Sequence, residues 1–462
     1  MSQIKSFPEN ALTTSDRLTL NTLIFGVILP LLDTTLVNVA LHDIGVQLDA
    51  SMSLLQWVIT AYTLAAASAV PLSAWLAARI GSKKLWIYCL WLFLAGACLS
   101  AMASNITVLI FSRVLQGLAT GLLLPTMQTI IVSSMGREKT RTALTAMSVP
   151  SVLAPILGPM IGGFILAFMS WRGIFWLHIP ICLSAIVLAI RKLPVEKTRT
   201  APYLDFIGFT LLSPGLVFLV YGLSLINDDT RNWLWFLIAG IVLTTAFIYR
   251  AAQLKNRALM DINIIGEPDF RSSCTLLFLS SIVYYGGILL FPLWLIQKGG
   301  YDPSSTGILL ALHGVGTLVA RQKLPAISSR WGDRRTALIA LALTATGSLI
   351  LLPPQFLNEK YIIAVGMIIR GAGVGVLTII SMSGAYQKLM PEQVAHASSL
   401  SRIVTHLGAT IGAALIAFFA TSSESVHAGL NAGFGYAHFA LLVVITVCIL
   451  PIRKLSTHSA KH

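Results

Sequence analysis

Apolar runs of roughly 18 to 25 residues recur along this chain from one end to the other, and each is long enough to cross a bilayer as a helix. Reading the runs against their terminators predicts fourteen spans, at 19–40, 54–78, 85–104, 106–133, 142–168, 173–190, 205–226, 233–251, 272–297, 305–327, 336–354, 361–384, 396–420 and 434–452. The fourth and fifth are interrupted by Gly and Pro, which membrane helices tolerate where neighbours satisfy the freed backbone groups. Only 11% of the 462 residues are charged and the mean hydropathy is +0.80. Soluble domains carry roughly a quarter of their residues as charges. A chain so depleted cannot cover a water-facing surface, so lipid must be its solvent and its fold class is an all-α membrane protein.

Basic residues set the expected orientation. With a cytoplasmic N-terminus, 24 of the 32 Lys and Arg fall in inside segments, and only Arg172, Arg231, Lys298 and Lys360 fall outside. That is the asymmetry the positive-inside rule demands. Dropping one span would invert every later loop and destroy it. Both termini and the connector 191–204 are therefore expected in the cytoplasm. The net charge of +14 sits in short clusters between spans, with no stripe or tail, which argues topology rather than nucleic-acid binding. Cys89, Cys98, Cys182, Cys274 and Cys448 lie inside apolar runs without paired spacing and read as small core hydrophobes. The first run follows a polar stretch, exceeds a signal core in length and ends without a small-residue cleavage site, so it is expected to remain as the first span. No loop has room for a folded soluble domain, and the helices must carry the function.

The chain echoes itself. Arg79-Ile-Gly81-Ser-Lys83-Lys84 after the second span returns about 250 residues later as Arg330-Trp-Gly332-Asp333-Arg334-Arg335. Gln116-Gly-Leu-Ala-Thr-Gly121 returns as Arg370-Gly-Ala-Gly-Val-Gly375 at nearly the same offset. Two like-oriented six-helix halves imply a pseudo-two-fold axis along the membrane normal and a rocking motion about a midplane site. The expected organisation is a cytoplasmic N-terminus (1–18), an N-terminal six-helix half (19–192), an inserted helix pair (205–251), a C-terminal six-helix half (272–452) and a cytoplasmic C-terminus (453–462).

Several of these stretches resemble one family. Leu32-Asp33-Thr-Thr-Leu-Val-Asn38-Val-Ala-Leu41 looks like the first-helix motif of drug:proton antiporters, and Arg113-Val-Leu-Gln116-Gly117 like their fourth-helix motif. Gly158-Pro159-Met-Ile-Gly162-Gly163 is similar to their fifth-helix antiporter motif. Trp171-Arg172-Gly-Ile-Phe175 and Asp205-Phe-Ile-Gly208 resemble the joins before the sixth and seventh helices. The chain thus resembles the fourteen-helix drug:proton antiporter group of the major facilitator superfamily, which includes the MdtD- and EmrB-type pumps. The resemblance implies a major facilitator fold and proton-coupled efflux of small molecules across the inner membrane. It also implies conformational roles for Arg79, Gly81, Lys83, Gly158, Pro159, Gly162, Gly163, Arg330, Gly332, Asp333 and Arg334. The chain departs from the pattern at Ala74 and Ala78, where Gly and Asp are usual, at His42 in place of Pro, and at His178 in place of Asn.

Asp33 alone among the 18 acids lies well inside a span, and Arg113 sits at matching depth. A carboxylate there is costly and calls for a cavity or a partner. A dry environment favours the protonated acid and a guanidinium the carboxylate, so alternation between the two would couple a proton to transport. A fixed ion pair joining two helices is the bland alternative. Asn38, Tyr62, Gln116, Arg370, Arg402 and His406 are candidate substrate-cavity residues. Arg321, near a span end, is expected to snorkel. Trp57, Tyr62, Tyr284, Tyr285 and Trp294 suit substrate stacking or an interfacial belt equally. Glycines of the fifth helix equally suit close helix approach. Four interior arginines against one acid favour neutral or anionic guests over lipophilic cations.

Rival functions lack their residues. No paired carboxylates, His-Glu-x-x-His site or phosphate-binding loop argues for an intramembrane enzyme or an ATP-driven pump. A receptor or scaffold fits poorly with symmetric halves and no soluble domain. No cofactor or metal is called for. The expected partners are a small-molecule substrate, protons and membrane lipid, with no nucleic acid; the sequence names no outer-membrane or adaptor partner.

Overall fold

Glycine places the sharpest breaks in this helical chain. Gly81, Gly136 and Gly332 take φ of 85°, 76° and 76° with extended ψ, a left-handed region where a Cβ is strained. Gly136 divides the 63-residue stretch Ile106–Phe168 into two helices, and Gly81 and Gly332 each separate a helix from the next at matching points of the repeat. The computed structural model describes residues 12–50, 52–194, 204–225, 232–254, 257–301, 303–353, 355–356, 359–387, 389–390, 393–425 and 431–455. Among them are α-helices and short 3-10 turns and no strand.

The helices are α1 (Thr14–Gln47), α2 (Met52–Ala69), α3 (Leu72–Ile80), α4 (Ser82–Ala101), α5 (Ile106–Phe168), α6 (Arg172–Lys192), α7 (Phe206–Ser224), α8 (Asn232–Leu254), α9 (Pro268–Gln297), α10 (Pro303–Trp331), α11 (Asp333–Ile350), α12 (Lys360–Gly384), α13 (Val394–Ser425), α14 (Asn431–Val447) and α15 (Ile449–Lys454). Local chemistry fixes several starts. Thr13 and Asp16 form a capping box on α1, Asn105 caps α5, and Pro268 opens α9 where a missing N–H does no harm. Ten described helices are long and apolar enough to cross a membrane, or eleven with α2 and α3 taken as one span bent by 57°. The stretch after Gly136, α10 and α11 are also helical where the fourteen-span reading puts spans.

The chain divides into two compact units, 1–209 with 390–399, and 210–389 with 400–462. The first holds α1 to α6; the second holds α8 to α12, most of α7 and α13, and α14 and α15. In the first, α5 packs against α1, α2 and α4 around Leu36, Val37, Ile44, Val58, Trp171 and Phe175. In the second, α12 packs against α9, α10 and α11 in the same arrangement. Helices α7 and α8 pack through glycines, Gly215 and Gly222 of α7 against Thr244 and Leu237 of α8, and Gly240 back against Leu219.

Small residues let these backbones approach. A Cβ on Gly371 would run into the His313 carbonyl of α10, whereas no described atom lies within 4 Å of one on Gly163. Gly371→Val is therefore expected to remove most monodisperse protein from a detergent size-exclusion profile, and Gly163→Val to leave it unchanged.

Candidate functional site

Asp33 on α1 is fully buried, at 0% exposure, and Arg113 of α5 meets it. Arg113 Nη1 donates to Asp33 Oδ2 at 2.6 Å and Oδ1 at 2.9 Å. The same nitrogen donates to Gln116 Oε1 at 2.8 Å, while Nε donates to the Val58 carbonyl of α2 at 3.3 Å. The guanidinium carbon lies 4.3 Å from the centroid of the Tyr62 ring, and the Tyr62 hydroxyl is 2.9 Å from Thr120 Oγ1. From α6, His178 Nε2 stands 3.9 Å from Asp33 Oδ1. Four helices thus converge on one ion pair.

Helical spacing builds this face. Arg113, Gln116 and Thr120 are three and four residues apart and share one side of α5. A Cβ on Gly117 or Gly121 would strike the Tyr62 or Ala66 carbonyl, so these glycines let α2 bring Val58 and Tyr62 to the arginine. An isolated carboxylate in this interior would carry a large desolvation cost; the guanidinium and its neutral acceptors offset it.

The second unit holds a related centre built on Arg370, 1% exposed on α12. Its Nη2 donates to the Val283 carbonyl of α9 at 2.8 Å, its Nε donates to Ser348 Oγ of α11 at 3.2 Å, and its Nη1 is 3.2 Å from His313 Nε2 of α10. The guanidinium carbon lies 4.6 Å from the Phe291 ring centroid. No carboxylate accepts from it among the described residues.

Packing aligns the two centres residue by residue. A Cβ on Gly96 of α4 would lie 2.6 Å from Gln116 Cγ, and one on Gly347 of α11 would lie 2.5 Å from the Arg370 backbone N. Gly117 faces the Tyr62 carbonyl as Gly371 faces that of His313. Asp33 and Gly287 are equally far from the first residues of α1 and α9. The second unit therefore carries arginine in place of Gln116, histidine in place of Tyr62 and glycine in place of Asp33, and the missing side chain makes room for the guanidinium.

Other candidates are dispersed. Asn38 is exposed on α1, and Arg402 and His406 are half-buried on α13. Arg402 Nε has no hydrogen-bond partner among the described residues. Arg321 does not snorkel: it is buried and donates to the Gly375 carbonyl at 2.8 Å and Thr378 Oγ1 at 2.7 Å. Arg79 lies over the Trp75 ring at 5.2 Å. Lys83 Nζ donates to the Ile190 and Leu193 carbonyls at 2.9 and 2.6 Å, capping the end of α6. Asp333 accepts from Ser328 Oγ and, at 2.9 Å, from Gln387 Nε2, while Arg330 is exposed and Arg334 half-buried. Gly158 and Gly162 face Thr35, Leu36 and Val39 of α1, Gly163 faces none, and the side chain of Pro159 lies outside the described residues. Sequence reasoning missed His313 and Ser348 and gave His178 no role; aligning the repeat through Tyr62 would have found His313.

Comparison with known proteins agrees with this architecture. The Major Facilitator Superfamily profile matches residues 23–413. The Multidrug resistance protein B homolog of Mycobacterium tuberculosis is 29% identical over 395 residues, covering 84% of this chain and 73% of that protein. The Multidrug export protein EmrB of Escherichia coli is 29% identical over 417 residues, covering 86% and 78%. The Putative multidrug resistance protein MdtD of Serratia proteamaculans is 27% identical over 437 residues, covering 91% and 90%. The crystal structure of the human organic anion transporter MFSD10 (TETRAN) aligns with a TM-score of 0.65 at 17% identity, over 96% of this chain and 99% of that one. The proton:xylose symporter XylE aligns at 0.67 and 14%, over 96% and 97%. A family match that runs through both buried charge centres places this chain in the Major Facilitator Superfamily, to which it belongs.

Proposed function

We propose that this protein is a proton-coupled antiporter that exports amphipathic small molecules across the inner membrane, a transporter and not an enzyme. The buried Asp33–Arg113 pair carries the reading, because a protonatable carboxylate with an exchangeable cationic partner is what proton coupling needs. The relatives named multidrug export and multidrug resistance proteins support efflux as the direction. In this reading the chain crosses the membrane fourteen times, as an N-terminal half (19–192), an inserted pair (205–251) and a C-terminal half (272–452), with both termini cytoplasmic. The charge asymmetry supports that topology. Cysteines introduced at Thr198 and Asn232 are expected to label from opposite faces, Thr198 from the cytoplasm. Labelling of both from outside would break the topology at the inserted pair.

Arg370 favours a second reading, a more selective exporter of organic anions such as carboxylates. A buried guanidinium with neutral acceptors alone repels a cationic guest and rewards a carboxylate with charge-assisted hydrogen bonds. Inverted vesicles with an imposed proton gradient test both readings. Export of a carboxylate-bearing compound in preference to a quaternary ammonium dye of similar size is the outcome expected from Arg370. Strong dye export that ignores the anion would show that Arg370 does not select charge, and no gradient-driven export of any probe would sink the antiport reading.

A further inference from the structure

His178 stands beside the ion pair with its own hydrogen-bonding capacity unused. It is 1% exposed, and neither Nδ1 nor Nε2 has a hydrogen-bond partner among the described residues. The Ile174 carbonyl one turn back acts on the ring without completing a hydrogen bond. His438 on α14 differs, with Nδ1 2.8 Å from the Phe434 carbonyl. A neutral imidazole carries one N–H and one lone pair, and burying both unpaired is unfavourable unless another state uses them.

The surroundings point to one partner. Phe93 of α4 meets the imidazole edge to face at 5.8 Å between centroids, and Phe175 lies 6.2 Å away on α6 itself. Of the helices packed on α6, α1 presents Asp33, α5 presents Arg113, and α4 presents Phe93 with no charged group acting on the ring. Nε2 is 3.9 Å from Asp33 Oδ1, about 1 Å beyond a charge-assisted hydrogen bond. Arg113 would keep Gln116, the Val58 carbonyl and the Tyr62 face if the carboxylate turned away.

We propose that His178 takes up the coupling proton and, as imidazolium, competes with Arg113 for Asp33. The proton adds to the imidazole lone pair, the new N–H donates to Oδ1, and Arg113 is released to its neutral acceptors. Proton loss reverses each step and restores the Asp33–Arg113 pair. One carboxylate with two alternative cationic partners on different helices is a two-state element that can bias α5 against α6. The inference rests on Asp33 as the coupling acid, but puts the proton on a neighbour.

Infrared difference titration of the purified full chain in detergent, with ring-labelled histidine, tests this without any substrate. Acidification is expected to give a label-sensitive imidazolium band that His178→Asn removes, with no protonated-carboxyl band that Asp33→Asn removes. A carboxyl band lost in Asp33→Asn, with the histidine bands identical in wild type and His178→Asn, would overturn it. His178→Gln gives the same comparison if the Asn variant does not fold. In proteoliposomes loaded with ethidium, His178→Asn is expected to lower gradient-driven export about tenfold and flatten its pH profile, with dye counterflow retained. A wild-type profile in that variant would count against the proposal. Wild-type export that ignores a collapsed proton gradient would remove the antiport reading instead, and the infrared result would still decide where the proton sits.

Discussion

Asp33→Asn is expected to lower gradient-driven export by at least about a hundredfold while substrate exchange in the absence of a gradient stays within a few fold. The amide matches the carboxylate in shape, and its oxygen can still accept from Arg113 Nη1, which now lies 2.6 Å from Oδ2. What disappears is the negative charge and, with it, any exchange of cationic partners at this site. Removing one partner of a buried pair costs about 3–5 kcal/mol when the other is left uncompensated. Here Gln116, the Val58 carbonyl and the Tyr62 ring remain around Arg113, so a folded variant is expected. Thermal unfolding of the purified variant separates lost stability from lost coupling. Asp33→Glu, which keeps the negative charge but lengthens the arm, should recover part of the driven export. Full driven export by the Asn variant would end the coupling role of this residue.

The helices and the ion pair were legible because lipid enforces them. Hydrocarbon admits few charges, so a lone acid and a deep arginine at equal depth had few ways to avoid each other, and α1 and α5 bring them together. The gap between the fourth and fifth spans was legible for the same reason, and the break at Gly136 falls within it. The Arg370 centre was not. Its acceptors are a serine, a histidine and a main-chain carbonyl on three helices, and none of these stands out from an apolar run. Arg321 was misread because snorkelling assumes free lipid at the helix end, whereas α12 supplies a carbonyl and a hydroxyl within reach. His178 was visible as an oddity beside the family pattern, yet its distance to Asp33 depends on how α6 packs on α1, which no pattern along one helix encodes.

Arg370→Met is expected to leave the thermal midpoint unchanged or raised while lowering export about tenfold or more. Holding an arginine in the membrane interior costs about 2.5–3.5 kcal/mol on insertion scales. Against this stand three hydrogen bonds, worth about 0.6 kcal/mol each in membrane proteins, and a desolvated cation–π contact with Phe291 of about 2 kcal/mol. The two sides nearly cancel. A methionine of similar length removes the desolvation cost along with the bonds, and it packs against Phe291 and the bare face of Gly287. The Val283 carbonyl keeps its place in the α9 helix, so only Ser348 and His313 lose an outside partner. Arg370→Ala, by contrast, leaves a cavity as well and should lower the midpoint, since the surrounding helices cannot collapse fully into the space. A residue that contributes almost nothing to stability but is held by three other helices is positioned for work on a charged guest. If Arg370→Met instead unfolds at markedly lower temperature and recovers export once refolding conditions restore its yield, the arginine is a clamp between α9, α10 and α11, and the charge preference of the transporter must be sought elsewhere.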